Sequence, residues 1–447
     1  MKFLKKSALF IVLIIVLGGI LLFRNQIKST KTEIKITERL PDGEIIGQMN
    51  FIDLSKEIQG ILFNYKLPVR EFASADFILS QAKNSGINLK HVKPSVRPQD
   101  DLYRHVNGTW IDSAEIPADR SSDGAFYELY QNAEQHVREI IEALGASGGA
   151  KGSVAQKIGD LYGSFMDEAK ANALGISPIA KDLELALGVS TVDQFHKVLG
   201  DFESRGLGGI FYQYITTDNM DSNTNIAYIG QSGLSLPDEA YYREEEFAEI
   251  RTAFAEHITK MFTLAKIEDP AAKAQAILKL ETEIASKHWD QVKDRDAILT
   301  YNKMSLAELK AASPGFDWDT WLATSKIPSK VMSTVIVRQP TFFTGLGEIL
   351  KNFNADAWSA WLAWHLLSGT SSYLSSEFVN ENFAFYGTKL SGTPELKARW
   401  KRGVGLVEGS LGEAVGQIYV EKHFPPAAKT RMVELVANLI EAYRIDI

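Results

Sequence analysis

The sequence predicts a mainly α protein: a large multi-helix region with a small β-hairpin, preceded by an N-terminal membrane-anchor helix and a short α+β segment. Three observations predict it. From about residue 86 onward, apolar residues recur at helical spacing through most of the chain. One pair of β-type runs, Ile210–Ile215 and Ile226–Gly230, interrupts them. The first thirty residues hold an apolar run with basic residues on both sides.

The elements follow in chain order. Lys2, Lys5 and Lys6 precede the apolar run Ser7–Phe23, and Arg24, Lys28 and Lys31 follow it. The run lies near the lower length for crossing a bilayer, and no small-x-small cleavage pattern follows, so residues 1–27 read as an uncleaved signal anchor. With the first lysines inside, the bulk of the chain lies outside the cytoplasm. In residues 28–85, Glu33–Glu38 alternates, Pro41-Asp42-Gly43 supplies turn chemistry, and Glu44-Ile45-Ile46 resumes an apolar run, which reads as a hairpin in a small segment or stalk. Ser121, Ser122 and Asp123 are caps for a helix whose stripe is Phe126, Leu129, Tyr130, Ala133, Val137, Ile140, Ile141 and Leu144. Gly145–Gly152 reads as a loop, and Ile158, Leu161, Tyr162 and Phe165 mark the next helix. The polar stretch TTDNMDSNTN forms a long tip between the two β runs. Helical patterns then run through Phe247–Lys266 and Ala271–Lys287. Trp358, Trp361, Leu362, His365 and Leu366 fall on one helical face. The last stripe is Met432, Leu435, Val436, Leu439, Ile440 and Tyr443; the chain then stops at Ile447 without a cap, which reads as an interruption.

Length and composition bound the function. The 447 residues can bury large cores, and length suggests two or three domains. A net charge of −8 argues against a nucleic-acid partner, because phosphate binding needs a basic surface. The absence of cysteine excludes disulfides, thiolate zinc sites, a Cys nucleophile and a lipoprotein-type lipid anchor.

Motifs for catalysis are absent. A helical zinc-peptidase site needs two histidines one turn apart with a Glu between them as base. The eight histidines are His91, His105, His136, His196, His257, His288, His365 and His423, and no two lie three to five residues apart. His365, in WSAWLAWHLL, reads as a satisfied core imidazole, and His288, in KHWDQVKDRD, as an ion-paired helix end. The acid pairs Asp100-Asp101, Asp294 with Asp296, and the run Glu244-Glu245-Glu246 have polar, turn-like settings and read as solvated faces rather than acid–base pairs. No G-x-S-x-G occurs, so a serine hydrolase has no support.

Four ordered blocks carry a resemblance. They are DLYRHVNGTWIDSAEIPADRSSDGAFYEL from Asp101, NIAYIGQSGLSLPDEAYY ending at Tyr242, KHWDQVKDRDAILTYNKMSLAEL from Lys287, and FAFYGTKLSGTPELKARWKRGVGLVEGSLGEAVGQIYVEKHFP from Phe383. In the last, the order of Tyr386, Gly392, Arg399, Trp400, Lys401, Arg402, Leu411, Gly412, Glu413, Gly416, Tyr419 and Phe424 carries the likeness. The chain resembles the neprilysin, endothelin-converting enzyme and PepO family of zinc metallo-endopeptidases, and the lack of cysteine points to its bacterial branch. The resemblance implies that residues 86–447 are the helical region that walls a chamber admitting peptides. It also implies that the zinc-binding motifs lie further along the chain than this region. In some relatives an Arg and an Asp of the first block help hold substrate; aligned on Gly124 and Phe126, those positions hold Ser122 and Tyr127, with Arg120 nearby. No catalytic or metal-binding residue carries over, because H-E-x-x-H occurs nowhere in the sequence.

The expected function is therefore the N-terminal helical part of a peptide-cleaving zinc endopeptidase, truncated before its catalytic domain and inactive alone. Zinc and a peptide substrate belong to the full-length family, and the membrane is a partner through the N-terminal helix. Two alternatives stay open: a non-catalytic peptide-binding protein that keeps the chamber wall, and an unrelated membrane-anchored helical interaction protein.

Overall fold

The computed structural model describes residues 88–446 and the backbone of two strands, β1 (Lys35–Arg39) and β2 (Ile45–Asn50). These strands pair antiparallel, as the alternation predicts. The expected anchor helix lies outside the described residues. Among the described residues, no helix is long and apolar enough to cross a membrane.

Backbone contacts divide the chain into two units, Met1–Ala114 and Glu115–Ile447. In the first, the N-G-x-W run is helical: α1 (Leu102–Ser113) starts at Asp101, whose side chain accepts from the Arg104 amide at 2.8 Å. Thr109 donates its hydroxyl to the Val92 carbonyl at 2.8 Å, and His105 donates from Nδ1 to the Val96 carbonyl at 2.6 Å, so the segment before α1 folds back along it.

In the second unit, α2 (Ala125–Ser147) and α3 (Val154–Met166) form an antiparallel pair joined by a loop shorter than expected, because Gly145–Ser147 still belong to α2. The expected side-chain cap of α2 is not made. Gly124 is the N-cap, Asp123 accepts from Arg120, and the Ser122 hydroxyl bonds Tyr127. The helices α4 (Ala180–Leu187) and α5 (Val192–Ser204) lead to β3 (Phe211–Asp218) and β4 (Asp221–Gln231). The hairpin is present, but its tip is only Asn219–Met220. The polar stretch is strand because Asp218 accepts from the Met220 amide and the Tyr228 hydroxyl accepts from the Asn219 amide, which closes the turn.

Next come α6 (Ala248–Leu264) and α7 (Pro270–Ala285), close to the predicted bounds. Among the later elements are β5 (Asn302–Ser305), α8 (Trp318–Ser325), β6 (Thr334–Val337), α9 (Pro340–Lys351), α10 (Ala355–Thr370), a π-helical stretch Phe383–Leu390, α11 (Arg399–His423) and α12 (Pro426–Asp446). The hairpin is thus half of a four-stranded sheet of order β3-β4-β6-β5, with β4 and β6 parallel. Strand alternation splits its side chains: Ala227, Ile229, Val335 and Val337 enter the main core, while Ile226, Tyr228 and Ile336 form a small cluster on the other face.

The main core is aromatic. Trp318, Trp321, Trp358, Trp361 and Trp364 are fully buried, and Phe211 of β3 sits 5.0 Å from Trp321 and 5.2 Å from Trp318. Helix α10 is buried on nearly every side, not on one face, because α4, α6 and α7 all pack on it. A buried polar hub ties this core to the second sequence block. The Glu281 carboxylate accepts from the Ser235 hydroxyl at 2.7 Å, the Tyr242 hydroxyl at 2.5 Å and His365 Nε2 at 3.1 Å. His365 is therefore the satisfied core residue expected. His288 differs: its Nε2 donates to the Ser232 carbonyl at 3.0 Å with no ion pair, and burial lowers its pKa to about 4.

A second core joins α2, α3 and α11 through Val137, Ile140, Ile141, Ile158, Val404, Val407 and Val415. Gly403 permits that approach, since a Cβ there would stand 2.9 Å from the Tyr162 ring. This packing carries the first and last sequence blocks to the same place.

Candidate functional site

The first and last blocks meet where the loop before α2 crosses the start of α11. The Glu395 amide donates to the Ala118 carbonyl at 2.9 Å. Beside it, Lys401 Nζ reaches Asp119 Oδ2 at 2.5 Å, with both side chains about four-fifths buried. Arg120 is nearly enclosed. Its Nη1 lies 3.2 Å from Asp123 Oδ1, its Nε 3.6 Å from Asp119 Oδ1, and its guanidinium 5.1 Å from the Tyr127 ring centre. Ser122 Oγ and the Tyr127 hydroxyl are 3.1 Å apart. The structure thus brings Arg120, Ser122 and Tyr127 together.

Helix α2 completes the wall. Tyr127, Tyr130, Gln131 and Glu134 recur at helical spacing and face Lys397 and Lys401 across a cavity of about 30 Å³. That is roughly the share of one water in the liquid, so the space has room for a water and not for a peptide side chain.

The electrostatics sort the site into satisfied and strained charges. The bond from Lys401 holds the Asp119 carboxyl below its usual range, ahead of the opposing effect of burial. Burial raises Glu134 despite the charges of Lys401 and Lys397, and raises Glu408 with help from Glu134. Tyr130 is raised by burial and then by Glu134 and Glu408. Lys401 is matched by Asp119 and Arg120 by Asp123, so both cations are committed within the protein. The arrangement clamps the loop and positions an aromatic face; it contains no nucleophile with an adjacent base.

Asp119, Glu134, Lys397 and Glu408 were not singled out in the sequence, and Tyr130 was named only as part of an apolar stripe. The available signal was the cationic run K-A-R-W-K-R around one Trp, set against the acid-flanked D-R-S-S-D.

The described residues do not fit a zinc site. Among the described residues, no group of three or more His, Asp or Glu side chains could hold a metal. The one close histidine pair, His136 and His423, stacks with ring centres 4.0 Å apart and planes at 8°, which turns faces rather than nitrogen lone pairs toward each other. His196 and His257 sit among aromatic rings, where burial lowers the pKa of each.

The family model for peptidase family M13, in its N-terminal part, matches residues 98–447.

The chain belongs to peptidase family M13.

It is 26% identical over 371 residues to endothelin-converting enzyme 1 of Mus musculus, covering 79% of this chain and 47% of that protein. It is 28% identical over 356 residues to the neutral endopeptidase of Lactobacillus helveticus, covering 78% and 54%. The solved structure of the Mycobacterium tuberculosis zinc metalloprotease Zmp1 in complex with an inhibitor superposes with a TM-score of 0.77 at 41% identity, over 81% of this chain and 55% of that one. This M13 chain therefore spans about half the length of the relatives it matches. All four blocks read from the sequence lie within the matched residues 98–447.

Proposed function

We propose that residues 98–447 form the helical wall of a peptide chamber in a zinc metallo-endopeptidase, tethered outside the cytoplasm of a bacterium by residues 1–27. The observation that carries this reading is the match to Zmp1, at 41% identity across four-fifths of the chain. In such an enzyme the metal supplies the activated water and polarises the scissile carbonyl. This chain's own residues do other work: they enclose the peptide, exclude bulk water and, at the Asp119–Lys401 clamp, hold the loop with Arg120, Ser122 and Tyr127 as a rigid substrate-facing rim. Zinc is held by sequence other than these 447 residues, which contain no H-E-x-x-H.

A chimera tests the reading: residues 98–447 replace the corresponding region of Zmp1. The chimera should hold one zinc and cleave a mixed peptide library in a chelator-sensitive way. The unaltered 447-residue chain should hold well under one zinc and cleave nothing. A folded, zinc-loaded chimera that neither binds nor cleaves peptide overturns the chamber-wall reading. Chelator-sensitive cleavage by the unaltered chain overturns the assignment of zinc elsewhere. Retention in the membrane after carbonate extraction, with Ser7–Phe23 still present, tests the tether; a soluble product starting after Arg24 refutes it.

A further inference from the structure

The second and third sequence blocks enclose a cavity that the chamber-wall reading does not use. It measures about 240 Å³, roughly eight waters' share, and lies between the end of β4, the turn after it and the segment His288–Asp294. Two aromatic walls define it. The Tyr212 ring lies across Gly230, where a Cβ would stand 2.3 Å from the phenol, so only glycine lets the ring lie there. Tyr214 stacks on Tyr212 at 5.9 Å. Trp289 is fixed by three hydrogen bonds: its amide donates to Gln231 Oε1 at 2.8 Å, its carbonyl accepts from Gln231 Nε2 at 2.9 Å, and its indole donates to Thr341 at 2.6 Å.

The polar lining is acidic. Glu239 and Asp294 are matched by Arg243 at 2.7 Å and Arg338 at 3.1 Å. Asp238 is different. It accepts from the Ala240 amide at 3.0 Å and from the Gln291 side chain, and among the described residues it has no cationic partner. His288, neutral through burial, adds no positive charge. An ammonium is already drawn to this rim: Lys293 Nζ stands 3.9 Å from the Trp289 ring centre. Fixed aromatic walls around an unmatched carboxylate are the chemistry of a cation pocket.

We propose that this cavity binds the cationic group of a peptide, a guanidinium or ammonium held by Asp238 and stacked between Tyr212 and Trp289. The identity of the ligand as a peptide rests on the function proposed above; the cation pocket does not. Lys293 is the internal competitor for the indole, and an incoming cation displaces it.

The test is binding by the full chain, with no proteolysis measured. Three tripeptide amides are titrated by ligand-observed NMR: acetylated with a central arginine, acetylated with a central citrulline, and citrulline with a free amino terminus. The arginine peptide should bind about tenfold more tightly than the acetylated citrulline peptide. Asp238→Asn should abolish that preference, and Lys293→Ala, a change at an exposed side chain, should tighten arginine binding severalfold. Preference for the free amino terminus instead assigns the pocket to a peptide's terminal ammonium, the same chemistry from another source. Equal binding of all three peptides, or no saturable binding up to about 10 mM, overturns the proposal. Cation binding with an inactive chimera would leave the pocket standing and sink the peptidase reading.

Discussion

Glu203 and Trp321 form a single hydrogen bond inside the protein: the indole N–H donates to Glu203 Oε2 at 2.7 Å, and Oε1 is buried without a partner. An ionised carboxylate with one neutral donor is poorly compensated, and burial raises its pKa to about 8. The unfolded chain releases this proton near 4.5, the folded chain near 8. Between those values the folded state holds the extra proton, so stability falls as pH rises, by an amount on the order of a few kcal/mol. Glu203→Gln keeps an acceptor for Trp321 and removes the titration. Its urea midpoint should change less than wild type's between pH 5 and pH 8, and at pH 8 the variant should be the more stable protein. Parallel pH profiles would show that Glu203 is ionised in the folded chain.

The Glu281 hub predicts a coupled loss. The Tyr242 hydroxyl donates to Glu281 and accepts from the Ser235 and Leu236 amides at 3.1 and 3.0 Å. Tyr242→Phe strands the Leu236 amide, which has no other partner among the described residues, and should cost about 1–3 kcal/mol. Glu281→Gln should cost a similar amount, and the double variant less than the sum, because both changes break one network. Additive losses in denaturant titrations would mean that the residues act independently.

The Asp119–Lys401 clamp predicts an acid-sensitive contribution of the opposite sign. The folded pKa of Asp119 is depressed below 3.8 by Lys401, so its stabilisation is present at neutral pH and is lost as pH falls through the folded value. Asp119→Asn should lower the thermal midpoint at pH 7, and the difference from wild type should shrink as pH falls below 3.8 and wild type loses the same charge. At pH 7 the cycle with Lys401→Gln should show a coupling of about 1–2 kcal/mol. A midpoint difference that persists unchanged into acid would assign the loss to packing instead.

These three relationships show what the sequence could and could not reveal. Helices with long regular stripes, α3, α6 and α7, were legible because the period is local. The strand β6 was not: its Thr-Val-Ile-Val run is four residues long and buried through Val335, Ile336 and Val337, so it shows no alternation. In α10 the face named from the tryptophans is surrounded by equally buried alanines, and only packing reveals that. At the candidate site, Arg120, Ser122 and Tyr127 were reachable through resemblance. Lys401 stands 282 residues from Asp119, and no local pattern joins them. The expected cap at Asp123 failed for a related reason: a carboxylate that a nearby guanidinium can claim does not remain available to the helix.

The stripe on α12 was also legible, and the structure turns it into a prediction. Met432, Leu435, Val436, Leu439, Ile440 and Tyr443 are each about half exposed, and no residue of this helix is buried among the described residues. An uncovered apolar face of this length on a solvated helix promotes association. The chain should bind a hydrophobic dye and self-associate in sedimentation experiments. Leu435→Glu with Leu439→Glu should reduce both, while shifting stability by no more than about 0.5 kcal/mol, because neither side chain fills a core. Glutamate is compatible with a helix at both positions, so secondary structure should be retained. If the double variant unfolds instead, the face is covered in solution, and the surface that covers it belongs to the folding unit.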